Sequence, residues 1–134
     1  MRTYNSKKVT IACGTHIVTG YAEDSFVTIE ETGDGVTSVA GADGEVGRSV
    51  SPDPRKTVKI SLMQNSPSNK FFRKQYNRDK TDGNGAFPIL IKDLTDGMVF
   101  SADAAWVTKM PSIARGKAVG NTEWEICAVG EFND

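Results

Sequence analysis

The sequence predicts a mainly β domain of antiparallel strands, with one flanking helix and one long projecting arm. Most apolar residues alternate with polar ones at a period of two, one segment has helical spacing, and one glycine-rich polar stretch has no clear period. The 134 residues fit a single domain over residues 1–134, which is long enough to bury a core without a disulfide or a metal.

Five segments show the period of two that is expected of half-buried strands. In order, they are VTIAC from Val9, SFVTIEE from Ser25, TVKISLM from Thr57, FPILIKD from Phe87 and TEWEICAV from Thr122. Several have a polar second face, which is typical of antiparallel sheets with one face in the core and one in water. Thr95–Gly97 predicts a tight turn before the segment MVFSA, and Ala102–Trp106 predicts a short second turn of helix.

One segment has helical spacing. Ser66 is a suitable N-cap, and Pro67 after it suits the first position of a helix. Phe72 and Tyr76 are four residues apart and therefore share one face. We predict a single helix over residues 67–77, lying across one open sheet with both aromatic side chains buried.

The stretch from Thr32 to Pro54 interrupts the strands with five glycines and two prolines. Loops longer than about 12–15 residues without secondary structure are uncommon in compact domains and usually have a function. A flexible linker is one interpretation. Because the stretch is internal to one small domain, we favour a projecting loop or hairpin over residues 32–54 that orders against a partner.

Charge is distributed in two blocks. Residues 23–53 hold eight acids against one base, a net charge of −7, and residues 55–80 hold eight bases against one acid, a net charge of +7. Such a dipolar molecule can bind a copy of itself while the whole chain stays near neutral, at −1. Alternatively, the two blocks are solvated faces that neutralise each other within one monomer.

The sequence contains no recognisable catalytic, cofactor-binding or metal-binding pattern, and we predict that the protein is not an enzyme. His16 is the only histidine and has no partner residues nearby in sequence for nucleophilic catalysis. Cys13 and Cys127 are too few for a disulfide scaffold and are expected to be reduced. No apolar run approaches the roughly 18 residues of a membrane span, and the first residues lack a signal-peptide stretch, so we expect folding in the cytoplasm without membrane insertion.

One segment could bind a ligand. Bases alternate with aromatic residues over Lys70–Lys80, and such a pattern can bind single-stranded nucleic acid by stacking and phosphate neutralisation. The alternative function is therefore a small β-barrel nucleic-acid-binding module that uses this basic helix. The helical spacing of Phe72 and Tyr76 instead favours an amphipathic helix with its aromatics in the core, and the near-neutral net charge argues against a dedicated nucleic-acid binder.

Most of the chain resembles the tail tube proteins of contractile-tailed bacteriophages. The matching features are Asp93–Gly97 between two strands, Ala105–Val107 followed by Lys109–Pro111, Gly120–Trp124 before the last strand, the early segment Ile11–Thr28 and the helix SPSNKFFRKQY. These motifs are structural. The resemblance implies a small β-sandwich or barrel-like fold with one flanking helix.

The resemblance also implies a structural role in the virion. Such proteins form hexameric rings that stack into a hollow tube, the conduit for genome delivery, and they are assembled in the host cytoplasm. The expected partners are the protein itself, the tail sheath, the tape measure, the baseplate hub and the tail terminator, with DNA only as transient cargo. A tail or baseplate component that reuses the tube fold without forming the tube is a third possibility.

Two sets of residues are expected to serve this assembly. The predicted contacts between subunits or rings are Val39, Asp43, Glu45, Val46, Arg48, Val50, Arg73 and Lys74. The predicted lumen-facing residues are Thr28, Glu30, Lys59 and Ser61. A lumen that passes DNA should not grip phosphates, so a neutral or acidic lining is expected, and Lys59 fits only if a carboxylate such as Glu30 pairs with it.

Overall fold

A computed structural model describes residues 3–22 and 26–133. In chain order the elements are a short 3-10 helix at Ser6–Lys8, β1 (Val9–Cys13), β2 (His16–Ile17), β3 (Val27–Glu31), β4 (Val36–Ala40), β5 (Val46–Val50), β6 (Arg55–Met63), α1 (Ser68–Asp82), β7 (Phe87–Asp93), β8 (Met98–Val107) and β9 (Asn121–Phe132). Glu23 and Asp24 of the acidic block, and Ser25 at the start of SFVTIEE, lie outside the described residues.

Seven of the strands form one antiparallel sheet in the order β2-β1-β7-β8-β9-β6-β3, and β4 and β5 form a separate hairpin. The longest pairing joins β6 to β9, from Arg55 opposite Val129 to Met63 opposite Asn121. The predicted fold class, mainly β and antiparallel with one helix and a projecting hairpin, is confirmed.

The segment after β2 connects two strands of this sheet, β1 and β6. The backbone N–H of Val18 donates to the Ile11 carbonyl in β1 (3.0 Å), and the Met63 N–H in β6 donates to the Gly20 carbonyl (2.8 Å). Ala22 adds a hydrogen bond to the Ser61 carbonyl (3.0 Å). These bonds attach the segment to β1 and β6, while the seven-stranded sheet keeps β2 and β3 as its two edges.

The core lies on one face of the sheet, under α1. The helix contributes Phe72, which is fully buried, with its ring centroid 5.4 Å from that of Trp124 on β9. The largest fully buried side chains are Trp124, Phe72, Phe100, Ile11, Ile60, Leu62, Ile89, Ile91, Ile126, Val18, Val58 and Cys13. The predicted strand faces therefore supply this core.

The helix begins one residue later than predicted, at Ser68 with Pro67 and not Ser66 in the N-cap position, and it also ends later. The Ser66 Oγ accepts a hydrogen bond from the Ser68 N–H (3.2 Å) and donates to the Thr19 carbonyl (2.5 Å), so Ser66 serves both the helix start and its attachment to the sheet. The helix extends five residues beyond position 77, because nothing before Gly83 breaks it, and Gly83 ends it in the left-handed conformation (φ 76°). Tyr76 is half-buried rather than buried.

The predicted helical turn at Ala102–Trp106 is wrong, because these residues belong to β8. A register shift between Ala102 and Ala104 puts a bulge in the strand, so the buried positions change parity there. With three alanines around this shift, the local pattern does not keep the period of two that would have identified a strand.

Candidate assembly surfaces

The register of β6 defines two ends of the molecule. At the end that we call the hairpin end, β3 finishes at Glu31 and β6 begins at Arg55. At the opposite end, called the loop end, β6 finishes at Met63 beside Asn121, the first residue of β9. The 13-residue connection between β8 and β9, residues 108–120, lies at this loop end and is called the β8–β9 loop.

The β4–β5 hairpin continues the β3–β6 pair beyond the sheet. The Thr32 N–H donates to the Arg55 carbonyl (3.4 Å), and the Ser51 N–H donates to the Gly35 carbonyl (2.7 Å). The segment that leaves β3 and the segment that enters β6 therefore stay side by side into the hairpin. Every residue from 36 to 50 is exposed. The hairpin therefore projects from the hairpin end of the molecule.

One face of the hairpin is mostly apolar, with the Ser38–Arg48 pair at its centre. Val36 lies opposite Val50, and Ala40 lies opposite Val46, so these four side chains point to the same side. Val46 and Val50 are 64% and 70% exposed, and Val39 on the other face is 74% exposed. Valines exposed to this degree on a two-stranded ribbon are typical of a surface that is covered by a partner.

The hairpin's acidic groups lie at its tip and base, and its one basic residue, Arg48, lies between them opposite Ser38. At the tip, the Asp43 Oδ1 accepts a hydrogen bond from the Glu45 N–H (3.1 Å). At the base, the Arg55 Nη2 lies 2.7 Å from the Asp53 Oδ2, and hydrogen bonds from Arg55 lower the pKa of the Asp53 carboxyl to about 2. The carboxylate of Asp53 is therefore charged at all physiological pH values and remains paired at the hairpin's root.

The four predicted lumen residues lie together on the sheet face opposite the core. Thr28 on β3 is paired with Lys59 on β6, and Lys59 is paired in turn with Glu125 on β9. The Lys59 Nζ lies 3.7 Å from the Glu30 Oε1, which is the pairing that the sequence required of a lumen lysine. We call this surface the polar face. It consists of Thr28, Glu30, Lys59, Ser61, Glu123 and Glu125.

The sequence analysis missed two members of the polar face. Glu123 lies opposite Ser61, and Glu125 lies opposite Lys59. The segment TEWEICAV indicates their position, because both glutamates alternate with Trp124 and Ile126, which are buried, and therefore point to the opposite face. With Glu30 they give three carboxylates against the ammonium of Lys59 and that of Lys109, which lines the same pocket as Lys59, Glu123 and Glu125, a formal net charge of −1.

The other predicted contact residues, Arg73 and Lys74, lie on α1 and not on the hairpin. The helix starts beside the end of β6, since the Asn69 Nδ2 donates to the Met63 carbonyl (2.9 Å). It leads back to Phe87, which is paired with Ala105 close to the end of β8. Both ends of the helix are therefore at the loop end, and the predicted contact set is divided between opposite ends of the molecule.

The two charge blocks pair directly at two places. In the described part of the chain, the ion pairs within 4.0 Å are Arg55–Asp53 and Lys59–Glu30, and each joins an acid of the first block to a base of the second. The hairpin carboxylates of Asp43 and Glu45 and the helix bases Arg73 and Lys74 take part in neither pair. These four groups are therefore the ones available for complementary contacts between copies.

The remaining chemically reactive side chains have structural surroundings. The His16 Nε2 lies 2.8 Å from the Ser68 Oγ, and its ring stacks on Phe71 with centroids 4.5 Å apart. Cys13 is buried in the core, which raises the pKa of its thiol to about 12, and burial also raises the pKa of Cys127 on the polar face. Among residues 3–22 and 26–133, there is neither a cluster of three metal-ligating side chains nor a helix long and apolar enough to cross a membrane.

Two sequence comparisons identify relatives. The sequence model of the family described as Bacteriophage PhiTE tail tube protein matches residues 2–132. The chain is also similar to Structural protein ORF10 of Pseudomonas phage KPP10, with 29% identity over 132 residues, covering 92% of this chain and 76% of the relative.

Solved structures share the fold at low sequence identity. The chain superposes on the sheath/tube terminator of an extracellular contractile injection system, PVC, with a TM-score of 0.68 and 11% identity, covering 100% of this chain and 99% of that one. The sheath–tube complex of the same system gives a TM-score of 0.65 with 12% identity, covering 98% and 91%. The tube-terminating cap of the anti-feeding prophage gives 0.62 with 10% identity, covering 99% and 92%.

Proposed function

Because the chain belongs to the Bacteriophage PhiTE tail tube protein family, we propose that its copies form hexameric rings that stack into the tail tube and conduct the genome into the host cell. The protein is a structural component of a phage tail, of the tube or terminator class. Assembly of the tube in the host cytoplasm is part of this proposal.

The proposal that the rings stack rests on the polarity of the molecule. The hairpin and the β8–β9 loop lie at opposite ends of the same strands, because Arg55 and Met63 are the two ends of β6. A surface at one end that fits a different surface at the other end gives heterologous contacts, which generate an open filament. Residues Val39, Asp43, Glu45, Val46, Arg48 and Val50 on the hairpin, and Arg73 and Lys74 on α1, are proposed to lie at these contacts.

Ring formation would use the two edges of the seven-stranded sheet. The edge strand β3, Val27–Glu31, pairs with β6 on one side only, and the opposite edge is the two-residue β2. Unpaired edge strands bind other strands readily, so a neighbouring subunit that continues the sheet would cover this edge. Closing six such sheets into a ring would leave no edge exposed.

The polar face is the proposed lining of the lumen. Its net charge of −1, from Glu30, Glu123 and Glu125 against Lys59 and Lys109, disfavours the phosphates of DNA. The Lys59–Glu30 pair at 3.7 Å occupies the ammonium that could otherwise hold a phosphate. DNA would therefore pass as transient cargo and would not be retained.

The test is the state of the purified protein. We expect rings or tubes by negative-stain electron microscopy, and sedimentation that shifts to smaller species as the salt concentration rises, since salt screens charge complementarity. The protein could instead stay monomeric at every protein and salt concentration, and also with a preformed tail end as initiator. That result would contradict the proposal that it forms a tube.

The structural neighbours favour a second candidate within the same class. The likeness to the sheath/tube terminator and to the tube-terminating cap makes a terminating ring the alternative to a tube subunit. A tube subunit gives particles of growing length, whereas a terminator gives single rings. Sheath, tape measure, baseplate hub and terminator proteins are the proposed partners of the tube.

The nucleic-acid-binding alternative has little support in the structure. Phe72 is fully buried against Trp124, and Tyr76 is half-buried, so these aromatics are not free to stack on bases. Phe71 stacks on His16 instead. The basic helix therefore offers charge without a stacking platform.

A further inference from the structure

The β8–β9 loop is a long basic segment that the fold does not explain. Its 13 residues, 108–120, have no regular secondary structure. They include Lys109, Arg115 and Lys117 and no acidic residue. Loops of this length in compact domains usually have a function.

This loop is fixed at its two ends and by Met110, which packs against the core, and it is exposed over residues 112–120. The Thr108 N–H donates to the Glu125 carbonyl (3.0 Å), and the Gly120 carbonyl accepts from the Gln64 N–H (2.8 Å). Among the described residues, no backbone–backbone hydrogen bond involves positions 109–119. Residues 112–120 are all exposed, and the apolar Ile113 and Val119 are 50% and 56% exposed.

The hairpin has the complementary properties at the opposite end of the molecule. Between residues 33 and 50 three acids face one base, a formal net charge of −2, against +3 for the β8–β9 loop. The hairpin also exposes apolar side chains, of which Val46 is 64% exposed. In the part of the chain that the structure describes, no ion pair within 4.0 Å involves Asp43, Glu45 or the loop bases.

We propose that the β8–β9 loop is the docking site for the hairpin of the next copy of this chain. The proposal rests on the proposed function, because it names the surface that the hairpin meets in the stack. Asp43 and Glu45 at the hairpin tip meet Arg115 and Lys117, and the exposed valines of the hairpin pack on Ile113 and Val119.

The loop fits the hairpin better than α1 does. The helix also offers bases at the loop end, but its large apolar residues face its own sheet: Phe72 is fully buried, and Phe71 and Tyr76 are half-buried. Val46 and Val50 would stay exposed against such a surface. Of these two surfaces, the loop is the one that supplies exposed apolar side chains together with positive charge, so it can cover the valines and pair the carboxylates at once.

A charge exchange between copies tests this docking. The loop variant carries Arg115→Glu and Lys117→Glu, and the hairpin variant carries Asp43→Lys and Glu45→Lys. A helix variant with Arg73→Glu and Lys74→Glu tests α1 as the competing docking surface. We expect the loop and hairpin variants, each alone, to lose sedimentable polymer by at least about tenfold, because like charges then meet at every contact.

The mixture of the two variants is the decisive measurement. An equimolar mixture of loop and hairpin variants should polymerise again, because each altered hairpin meets an altered loop. When mixed with the helix variant, the hairpin variant should stay in the supernatant. Entry of the hairpin variant into polymer with the helix variant, or normal polymers from the loop variant alone, would overturn the loop as the docking site while tube formation itself stands.

Zero-length cross-linking gives a second measurement on the unaltered protein. A carbodiimide joins touching carboxylates and amines, so a mixture of light and ¹⁵N-labelled chains should give mixed-label peptides that link Asp43 or Glu45 to Lys117. Links to Lys70 or Lys74 in place of Lys117 would contradict the proposal. Unaltered protein that gives no polymer and no intermolecular link would overturn the proposed function as well.

Discussion

Asn69 attaches the helix to the sheet. Its Oδ1 accepts a hydrogen bond from the Trp124 Nε1 (2.8 Å), and its Nδ2 donates to the Met63 carbonyl (2.9 Å). Asn69→Ala leaves the N–H of the buried Trp124 without a partner, so we expect the free energy of unfolding to fall by about 1–3 kcal/mol. Urea denaturation followed by tryptophan fluorescence measures this.

The matched control is Asn77→Ala, on the same helix but exposed. Surface substitutions of this kind change stability by about 0.5 kcal/mol or less. Equal stability of the two variants would show that the Trp124 hydrogen bond contributes nothing to folding.

Cys13 links stability to pH in the alkaline range. Burial raises the pKa of its thiol from 9.0 to about 12, so the folded protein holds this proton more tightly than the unfolded chain does. Its contribution to stability is complete below about pH 9 and is lost as the pH rises toward 12. Between these values, the unfolding free energy of the natural protein should fall faster than that of Cys13→Val, by up to about 1.4 kcal/mol per pH unit.

The measurement is urea denaturation of both proteins from about pH 8 to pH 11. The difference between the unfolding free energies of the two proteins cancels the contribution of the lysines and tyrosines that titrate in the same range. Cys127→Ala is the control, since this cysteine is only half-buried. Parallel curves for the natural protein and Cys13→Val would contradict the raised pKa.

Single residues were predictable where an alternating pattern fixes the face of a strand. The polar-face positions Thr28, Glu30, Lys59 and Ser61 follow from the period of two, because neighbours at i and i+2 share a face. Hydrogen bonds between residues far apart in the chain have no such signal. Asn69 and Trp124 are 55 residues apart, and the sequence contains nothing that pairs them.

The hairpin is a separate unit whose removal should leave the fold intact. Its strands β4 and β5 pair with each other and not with the seven-stranded sheet, and an isolated two-stranded ribbon is at best marginally stable. We expect the hairpin to move as a whole in the monomer and to become ordered between subunits or rings. Deleting Ala40–Gly47 should therefore give a folded protein that forms no tubes.

Circular dichroism and sedimentation of the deletion variant check both halves of this prediction. The control is Thr37→Ala, which alters an exposed residue on the hairpin face without the Val36–Val50 pair and should polymerise normally. Normal tubes from the deletion variant would make the hairpin an ordinary surface loop. A variant that does not fold would place the segment in the folding core.

The basic helix should not bind DNA tightly. Its aromatic side chains are engaged in the core or stacked on His16, and the whole chain has a net charge of −1. We expect fluorescence anisotropy to show weak binding of single-stranded and duplex DNA at physiological salt, unchanged by Arg73→Glu with Lys74→Glu. Tight, salt-sensitive binding that this variant abolishes would support the nucleic-acid-binding alternative.

Elements were predictable where their pattern is long and unbroken. The strand TVKISLM and the start of the helix at Pro67 have clear local signals: β6 contains this strand, and the helix begins one residue later, at Ser68. The bulge in β8 has no such signal, because small alanines fit a strand or a helix equally well until the neighbouring strand fixes the register. The predicted end of the helix, at residue 77, is too early for a similar reason. Residues 78–82 are polar but compatible with a helix, and they belong to α1.

The polarity of the whole molecule arises from the order of its elements. The acidic arm is inserted between β3 and β6 at one end of the sheet, and the basic helix follows β6 at the other. The acidic hairpin and the basic helix are therefore placed at opposite ends by the single strand of nine residues between them. Charge counts along the chain predict a dipole, but only the register of β6 gives its direction.

Cys127 provides a natural probe of the proposed lumen. It is half-exposed on the polar face, where it lies opposite Thr57 on β6. If this face lines a closed tube, a small maleimide should label Cys127 in assembled tubes, whereas a maleimide attached to a bulky polymer should label it only after the tubes are dissociated. Mass spectrometry of the labelled peptide gives both rates, and Cys13, which is buried in the core, serves as the unreactive reference. Equal labelling of intact tubes by both reagents would place the polar face on the outside, and the acidic lining proposed for the lumen would then be wrong.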